Sequence, residues 1–196
     1  MPLYRPTRFA HIVYRTRRFD EMLAWYETVF GARIQYQNPG LAFLTYDDEH
    51  HRFAIANMSV LHPDGDDAER RSIIGVDHVG YTYASLTELL ETYARLRDEG
   101  ILPYWCVHHG ITASMYYADP DGNQMEFQVD SLASCDEAAE FMKTHWDANV
   151  LGVEYDPEDW LTQLRAGTPE RDLLVRQVHE PASPLRGYVA TFISTD

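Results

Sequence analysis

The chain repeats itself, and that constrains its fold more than any other feature. Shifting the sequence by 67 residues, without a gap, sets His78 on His11, Tyr81 on Tyr14, Leu86 on Phe19, Leu89 on Met22, Leu90 on Leu23 and Tyr93 on Tyr26. Self-similarity at one offset means that a single supersecondary unit is used twice. In the first copy, residues 8 to 14 (RFAHIVY) read as a strand rich in β-branched and aromatic residues. Phe19, Met22, Leu23, Tyr26 and Phe30 then recur at helical spacing, and Gly31 stands where a left-handed residue ends the helix. Strand-like runs follow over residues 32–36, 41–46 and 52–58, separated by the turn material Asn38-Pro39-Gly40 and Asp47-Asp48-Glu49. The unit is βαβββ.

The second copy has the same plan. Its helix opens on a capping box, Ser85 with Glu88, and Gly100 follows its last apolar residue, Leu96. Strands are expected over 104–107, 112–118 and 123–129, the last two joined by the turn Asp119-Pro120-Asp121-Gly122. If that last strand alternates, Met125 and Phe127 point one way while Gln124, Glu126 and Gln128 point the other. The expected organisation is a first module over residues 1–60, a polar linker over 61–72, a second module over 73–130 and a helical extension and arm over 131–196. In the extension, Ala138, Phe141, Met142 and His145 form a helical stripe, and Asp156 with Pro157 starts a helix that runs to Gly167. The fold class is α+β: two tandem βαβββ modules pairing into a cupped eight-stranded mixed sheet with helices outside, plus the helical extension.

Composition narrows the function. A formal charge of −15 disfavours nucleic acid, whose phosphates would be repelled. Neither a membrane span nor a signal peptide is evident, and two cysteines, Cys106 and Cys135, make no disulfide framework, so a cytoplasmic protein acting on a small molecule is expected. A homodimer is expected because two-fold association is the commonest assembly. Nine histidines in such a chain are compatible with a metal site of nitrogen and oxygen donors. His11 and His78 open the first strands of the two copies, and Glu126 lies on the last strand of the second. Two histidines and one carboxylate on one face, with positions left open, suit non-haem Fe(II), and Mn(II) less often.

The segments FAHIVY, GVDHVGY and YYADPDGNQMEFQVD, within residues 8–130, resemble the vicinal oxygen chelate superfamily of glyoxalases, bleomycin- and fosfomycin-resistance proteins and extradiol dioxygenases. By that resemblance the metal ligands are His11, His78 and Glu126. Glyoxalase-type members take a further ligand from the last strand of the first copy, where matching Arg52–Ile55 to Gln124–Phe127, with a loop gap in the repeat, puts Ala54. HHRFAI at residues 50–55 is similar to the paired-histidine segment of ring-cleaving extradiol dioxygenases. The resemblance gives the acid-base role to His51, with His50 and His62 as alternatives, and substrate contacts to His108, or its neighbour His109, and Tyr116. A histidine of ordinary pKa near 6.5 can both accept and return a proton near neutrality. The resemblance therefore implies an Fe(II)-dependent extradiol dioxygenase whose partners are a catechol-type substrate and dioxygen. The rivals are a metal-dependent lyase, isomerase or hydrolase on the same fold, and a metal-free binding protein of the resistance type.

Overall fold

The structure, a computed structural model, describes residues 9–64, 76–145, 149, 151–175, 181–187 and 190. Most of the expected linker, and the residues on either side of the 181–187 segment, lie outside the described residues. The chain divides into two compact units, Met1–Ser72 with Asp119–Gly122, and Ile73–Ala118 with Asn123–Asp196. Among the described residues no helix is long and apolar enough to cross a membrane.

In the first unit β1 (Ile12–Thr16) leads into α1 (Phe19–Phe30), β2 (Arg33–Asn38), β3 (Leu41–Thr45), β4 (Phe53–Asn57) and a single turn, α2 (Met58–Leu61). The sheet order is β1-β4-β3-β2, with β1 parallel to β4 and the remaining pairs antiparallel. The apolar stripe of α1 buries Phe19, Met22, Leu23, Tyr26 and Val29. Its centre is Tyr26, fully buried and edge-on to Phe53 of β4 at 4.6 Å between ring centroids. Gly31 stops the helix at φ 62°, a left-handed conformation that a Cβ disfavours.

The second unit repeats the pattern with β5 (His78–Thr82), α3 (Leu86–Asp98), β6 (Trp105–His108), β7 (Thr112–Ala118) and β8 (Gln124–Asp130). The extension then adds α4 (Cys135–His145), β9 (Val153–Glu154), α5 (Pro157–Arg165) and α6 (Glu170–Leu173). The sheet order is β5-β8-β7-β6-β9, so this sheet has a fifth strand that the repeat does not predict. β9 is two residues long, too short to show alternation. It pairs Val153 with His108 and Glu154 with Val107. The approach is possible because Gly152 has no side chain: at its φ of +94°, a Cβ would stand 2.4 Å from the His108 carbonyl oxygen.

Strand registers make the repeat exact in backbone terms. Val13 pairs with Ala54 in the first sheet, and Gly80, 67 residues after Val13, pairs with Glu126 in the second. Ala54 is therefore the counterpart of Glu126, as the sequence alignment has it. One strand further across, Phe43 pairs with Ala54 and Tyr116 with Glu126.

The extension also completes α3. The first-turn amides of a helix have no partner within it. Ser85 Oγ accepts from Glu88 N at 3.1 Å, and the Glu88 carboxylate reaches back to Ala84 N rather than to Ser85 N. The amides of Leu86 and Thr87 donate to the Glu170 carboxylate at 3.1 and 3.0 Å, from 83 or 84 residues away. Burial pushes the Glu170 carboxyl up, but a hydrogen bond from the Thr87 hydroxyl, followed by these two amide bonds, outweighs it and holds the carboxyl below its usual range. Replacing Glu170 by alanine should lower stability by about 0.5–2 kcal/mol, the range for losing a helix-capping group, read as a lower urea midpoint at unchanged m-value.

Candidate active site

On β8 the two faces are chemically distinct. Met125 and Phe127 are fully buried in the core layer, whereas Glu126, Gln128 and Asp130 line a cavity of about 690 Å³ in the second unit. The parallel pairing of β5 with β8 brings His78 beside Glu126, with His78 Nε2 3.2 Å from Glu126 Oε2. The opposite ring nitrogen, Nδ1, lies 2.8 Å from Asp77 Oδ2. Asp77 is held in turn by Gln124, whose amide nitrogen donates to the Asp77 backbone oxygen at 2.9 Å. A carboxylate on one imidazole nitrogen fixes the ring and directs the other outward, the usual support for a metal-binding histidine. Asp77 immediately precedes His78 in the sequence but belongs to no motif there that marks it as the partner of the ring.

The electrostatics follow from this geometry. Hydrogen bonding to Glu126 first, and Asp77 second, raises the His78 pKa from 6.5 to about 9. Burial pushes the Glu126 carboxyl up, but hydrogen bonds from His78, Ser114 and Tyr116 outweigh it and the net direction is down. Tyr116, opposite Glu126 on β7, is driven upward by burial and by that carboxylate, so it remains a phenol and a donor. Its ring is stacked on Trp105 of β6 at 4.8 Å, and its hydroxyl is 3.0 Å from His109 Nε2.

His109, rather than its neighbour His108, lines the cavity. His108 is 3% exposed and turned into the extension, with Nε2 2.9 Å from the Leu174 carbonyl and Nδ1 accepting from Gly110 N at 3.0 Å. Of the two alternatives, His109 is therefore the one placed at the cavity. Strand alternation explains it: Trp105 and Val107 pack with Tyr116 on one face of β6, so His108 falls on the other. That period was readable in the sequence once Trp105 was assigned to the cavity face.

His11 and His51 belong to the first unit. Their rings lie 4.4 Å apart, and His51 is 4.6 Å from Phe43. Burial, followed by the neighbouring His11 and His50, lowers the His51 pKa below 6.5, which leaves its ring neutral at pH 7. His50 adjoins it with Nδ1 2.5 Å from His51 Nδ1 and is exposed, while His62 sits at the surface end of α2. Among the described residues no three histidine, cysteine, aspartate or glutamate side chains form a ready metal cluster. In the second unit two donors converge, His78 and Glu126. No side chain covers them from Gly80, where a Cβ would lie 3.6 Å from Glu126 Oε2. One imidazole nitrogen and one carboxylate oxygen facing open space fit a divalent ion of borderline hardness.

Comparison with known proteins agrees with this architecture. Residues 8–127 match the family model of the Glyoxalase/Bleomycin resistance protein/Dioxygenase superfamily. The chain is 40% identical over 163 residues to biphenyl-2,3-diol 1,2-dioxygenase 2 of Rhodococcus globerulus, covering 83% of this chain and 84% of that protein. It is 38% identical over 171 residues to biphenyl-2,3-diol 1,2-dioxygenase 3 of the same organism, covering 86% and 88%. A superfamily structure from Nocardioides shares the fold, with a TM-score of 0.51 at 21% identity over 66% of this chain and 86% of that one. The chain is a member of the Glyoxalase/Bleomycin resistance protein/Dioxygenase superfamily.

Because folding raises the His78 pKa, the stability it lends the metal-free protein is complete below about pH 6.5 and is lost as pH rises through about 9. A metal ion held by His78 would have to displace that proton. Calorimetric affinity for Fe(II), measured anaerobically, should therefore rise by about tenfold per pH unit through this window and level off above it. A flat profile would contradict a protonated His78. Asp77→Ala should weaken metal binding by roughly 10- to 100-fold.

Proposed function

We propose that this protein is an extradiol dioxygenase, which opens a catecholic ring beside its two hydroxyls and inserts both atoms of dioxygen. Its Fe(II) would be held by His78, Glu126 and His11, the last on its repeat equivalence to His78 and on the family resemblance. The observation that carries the reading is the line Asp77–His78–Glu126, which aims a nitrogen and an oxygen donor into a cavity walled by Tyr116 and Trp105. The chain's similarity to the two Rhodococcus biphenyl-2,3-diol 1,2-dioxygenases supports it. When bound, the metal supplies a Lewis acid that lowers the pKa of a coordinated hydroxyl and brings diol and dioxygen to one centre.

The protein's own groups have separable tasks. Tyr116, kept protonated by its surroundings, donates a hydrogen bond toward an oxygen on the substrate ring. His109, with Nε2 3.0 Å from the Tyr116 hydroxyl, orients that hydroxyl or contacts the substrate. His51, neutral at pH 7, takes the second hydroxyl proton and returns it to the product side of the reaction. The stacked Trp105–Tyr116 pair offers an aromatic ring a flat wall. Ile111, Leu132 and Leu151 add apolar lining that keeps water from the cleavage. The lyase or isomerase alternative loses support at Ala54, which has no donor atom at the position equivalent to Glu126. The proposed assembly is a homodimer.

Anaerobic reconstitution with Fe(II), addition of biphenyl-2,3-diol or catechol, and admission of oxygen should give a yellow ring-cleavage product with one oxygen consumed per ring. Metal binding without oxygen uptake for any catechol would exclude the dioxygenase reading. His78→Ala and Glu126→Ala should lose stoichiometric iron while retaining the wild-type circular dichroism, since both side chains line a cavity. His51→Ala should keep both iron and diol but lose roughly 10²- to 10⁴-fold in kcat, the usual contribution of a positioned acid-base group. Full activity in that variant would move the role to His50 or His62.

A further inference from the structure

We propose that Pro181–Gly187 forms a strap that sets the size and charge of the substrate's ring substituent, and that Leu185 is the side chain the substituent meets. The inference rests on the dioxygenase reading and assigns a specificity element to it. The strap lies outside the family-matched residues 8–127.

It is fixed at both ends. Ser183 N donates to the Gly152 carbonyl at 2.8 Å. Ser183 Oγ, 4% exposed, accepts from Trp105 Nε1 at 2.8 Å and donates to Glu154 Oε1 at 2.9 Å. Arg186 grips the same carboxylate through Nε at 2.5 Å and Nη2 at 3.1 Å. At the far end Gly187, with φ +84°, lies so close to Gln124 that a Cβ would stand 2.3 Å from its Oε1. The strap thus runs from the β9 edge to β8, and between its anchors Leu185 and Arg186 line the cavity.

The sheet gives the direction in which a substrate extends. Glu126, Tyr116 and Trp105 are successive partners across β8, β7 and β6. With strands about 4.8 Å apart, a ring held at Glu126 and His78 that extends along this row reaches Trp105 roughly 10 Å away, where Leu151 packs against the Trp105–Tyr116 cluster; the strap brings Leu185 into the same lining. The Arg186 charge is neutralised by Glu154, His78 is shared between Asp77 and Glu126, and Asp130 adds a further carboxylate, so the balance of the lining stays acidic. The wall therefore accepts an uncharged, apolar substituent and opposes a carboxylate.

The test is anaerobic titration calorimetry on the iron-loaded protein with biphenyl-2,3-diol, catechol and 3,4-dihydroxybenzoate, followed by admission of oxygen. Wild type should bind biphenyl-2,3-diol most tightly and the carboxylated diol most weakly. Leu185→Trp should raise the Kd for biphenyl-2,3-diol at least tenfold relative to that for catechol, and Leu185→Ala should shift the same ratio by a smaller factor. An equal change for both diols in both variants, or no change, overturns the proposal, as does a wild type that binds neither. Selective binding without ring cleavage on admitting oxygen would uphold the strap and sink the dioxygenase reading, so the two failures are distinguishable.

Discussion

The parallel pairing of β5 on β8 is the constraint on which the site depends. With Gly80 opposite Glu126, His78 lies diagonally from the carboxylate on the same face of the sheet. A slip of one residue would invert β8 and turn Glu126 into the core layer. Met125 and Phe127, both fully buried, oppose that slip, because exposing either side chain costs about 1.5–3 kcal/mol. The apolar layer that holds the sheet against α3 therefore also sets the angle at which two donor atoms meet. The core and the chemistry are specified by alternate residues of one strand.

The duplicated unit uses one backbone for two environments. In the first sheet the row Val13, Ala54, Phe43 occupies the places of Gly80, Glu126 and Tyr116 in the second. The carboxylate and the phenol are replaced by a methyl group and a phenyl ring, so that copy has nothing equivalent to the donor pair. What it offers instead is a pair of neighbouring imidazoles, His11 and His51, tilted by 33° to one another, with the His51 pKa lowered by its surroundings. Identical registers thus carry different side chains in the two copies: neighbouring imidazoles in the first, the His78–Glu126 pair in the second.

Much of this was legible because it obeys a local period. The repeat, the helices with Gly31 and Asp156 at their ends, the turn at Asp119–Gly122 and the polar face of β8 all follow from spacing within one element. Contacts that join distant parts of the chain leave no period to read. Glu170 is an ordinary surface glutamate in sequence, and only the fold sets it on the amides of Leu86 and Thr87. Asp77 gains its meaning from the rotamer of His78. β9 is two residues paired because Gly152 lets backbone approach backbone. His108 and His109 differ by one position, and the end of β6 decides which of them faces the cavity.

The hydrogen-bonded cluster of Trp105, Glu154, Ser183 and Arg186 has an evolutionary consequence. The donors at His78 and Glu126 sit inside the region shared with the superfamily, whereas α4 and the 181–187 segment, which line the same cavity, come after it. Mutational drift in the tail can reshape the space available to a ligand without disturbing the strands that fix the donors. Exchanging tails between relatives has a stricter requirement: the indole at Trp105 and the carboxylate at Glu154 must travel with the serine and arginine that bind them, or the graft leaves a buried polar group without its mate.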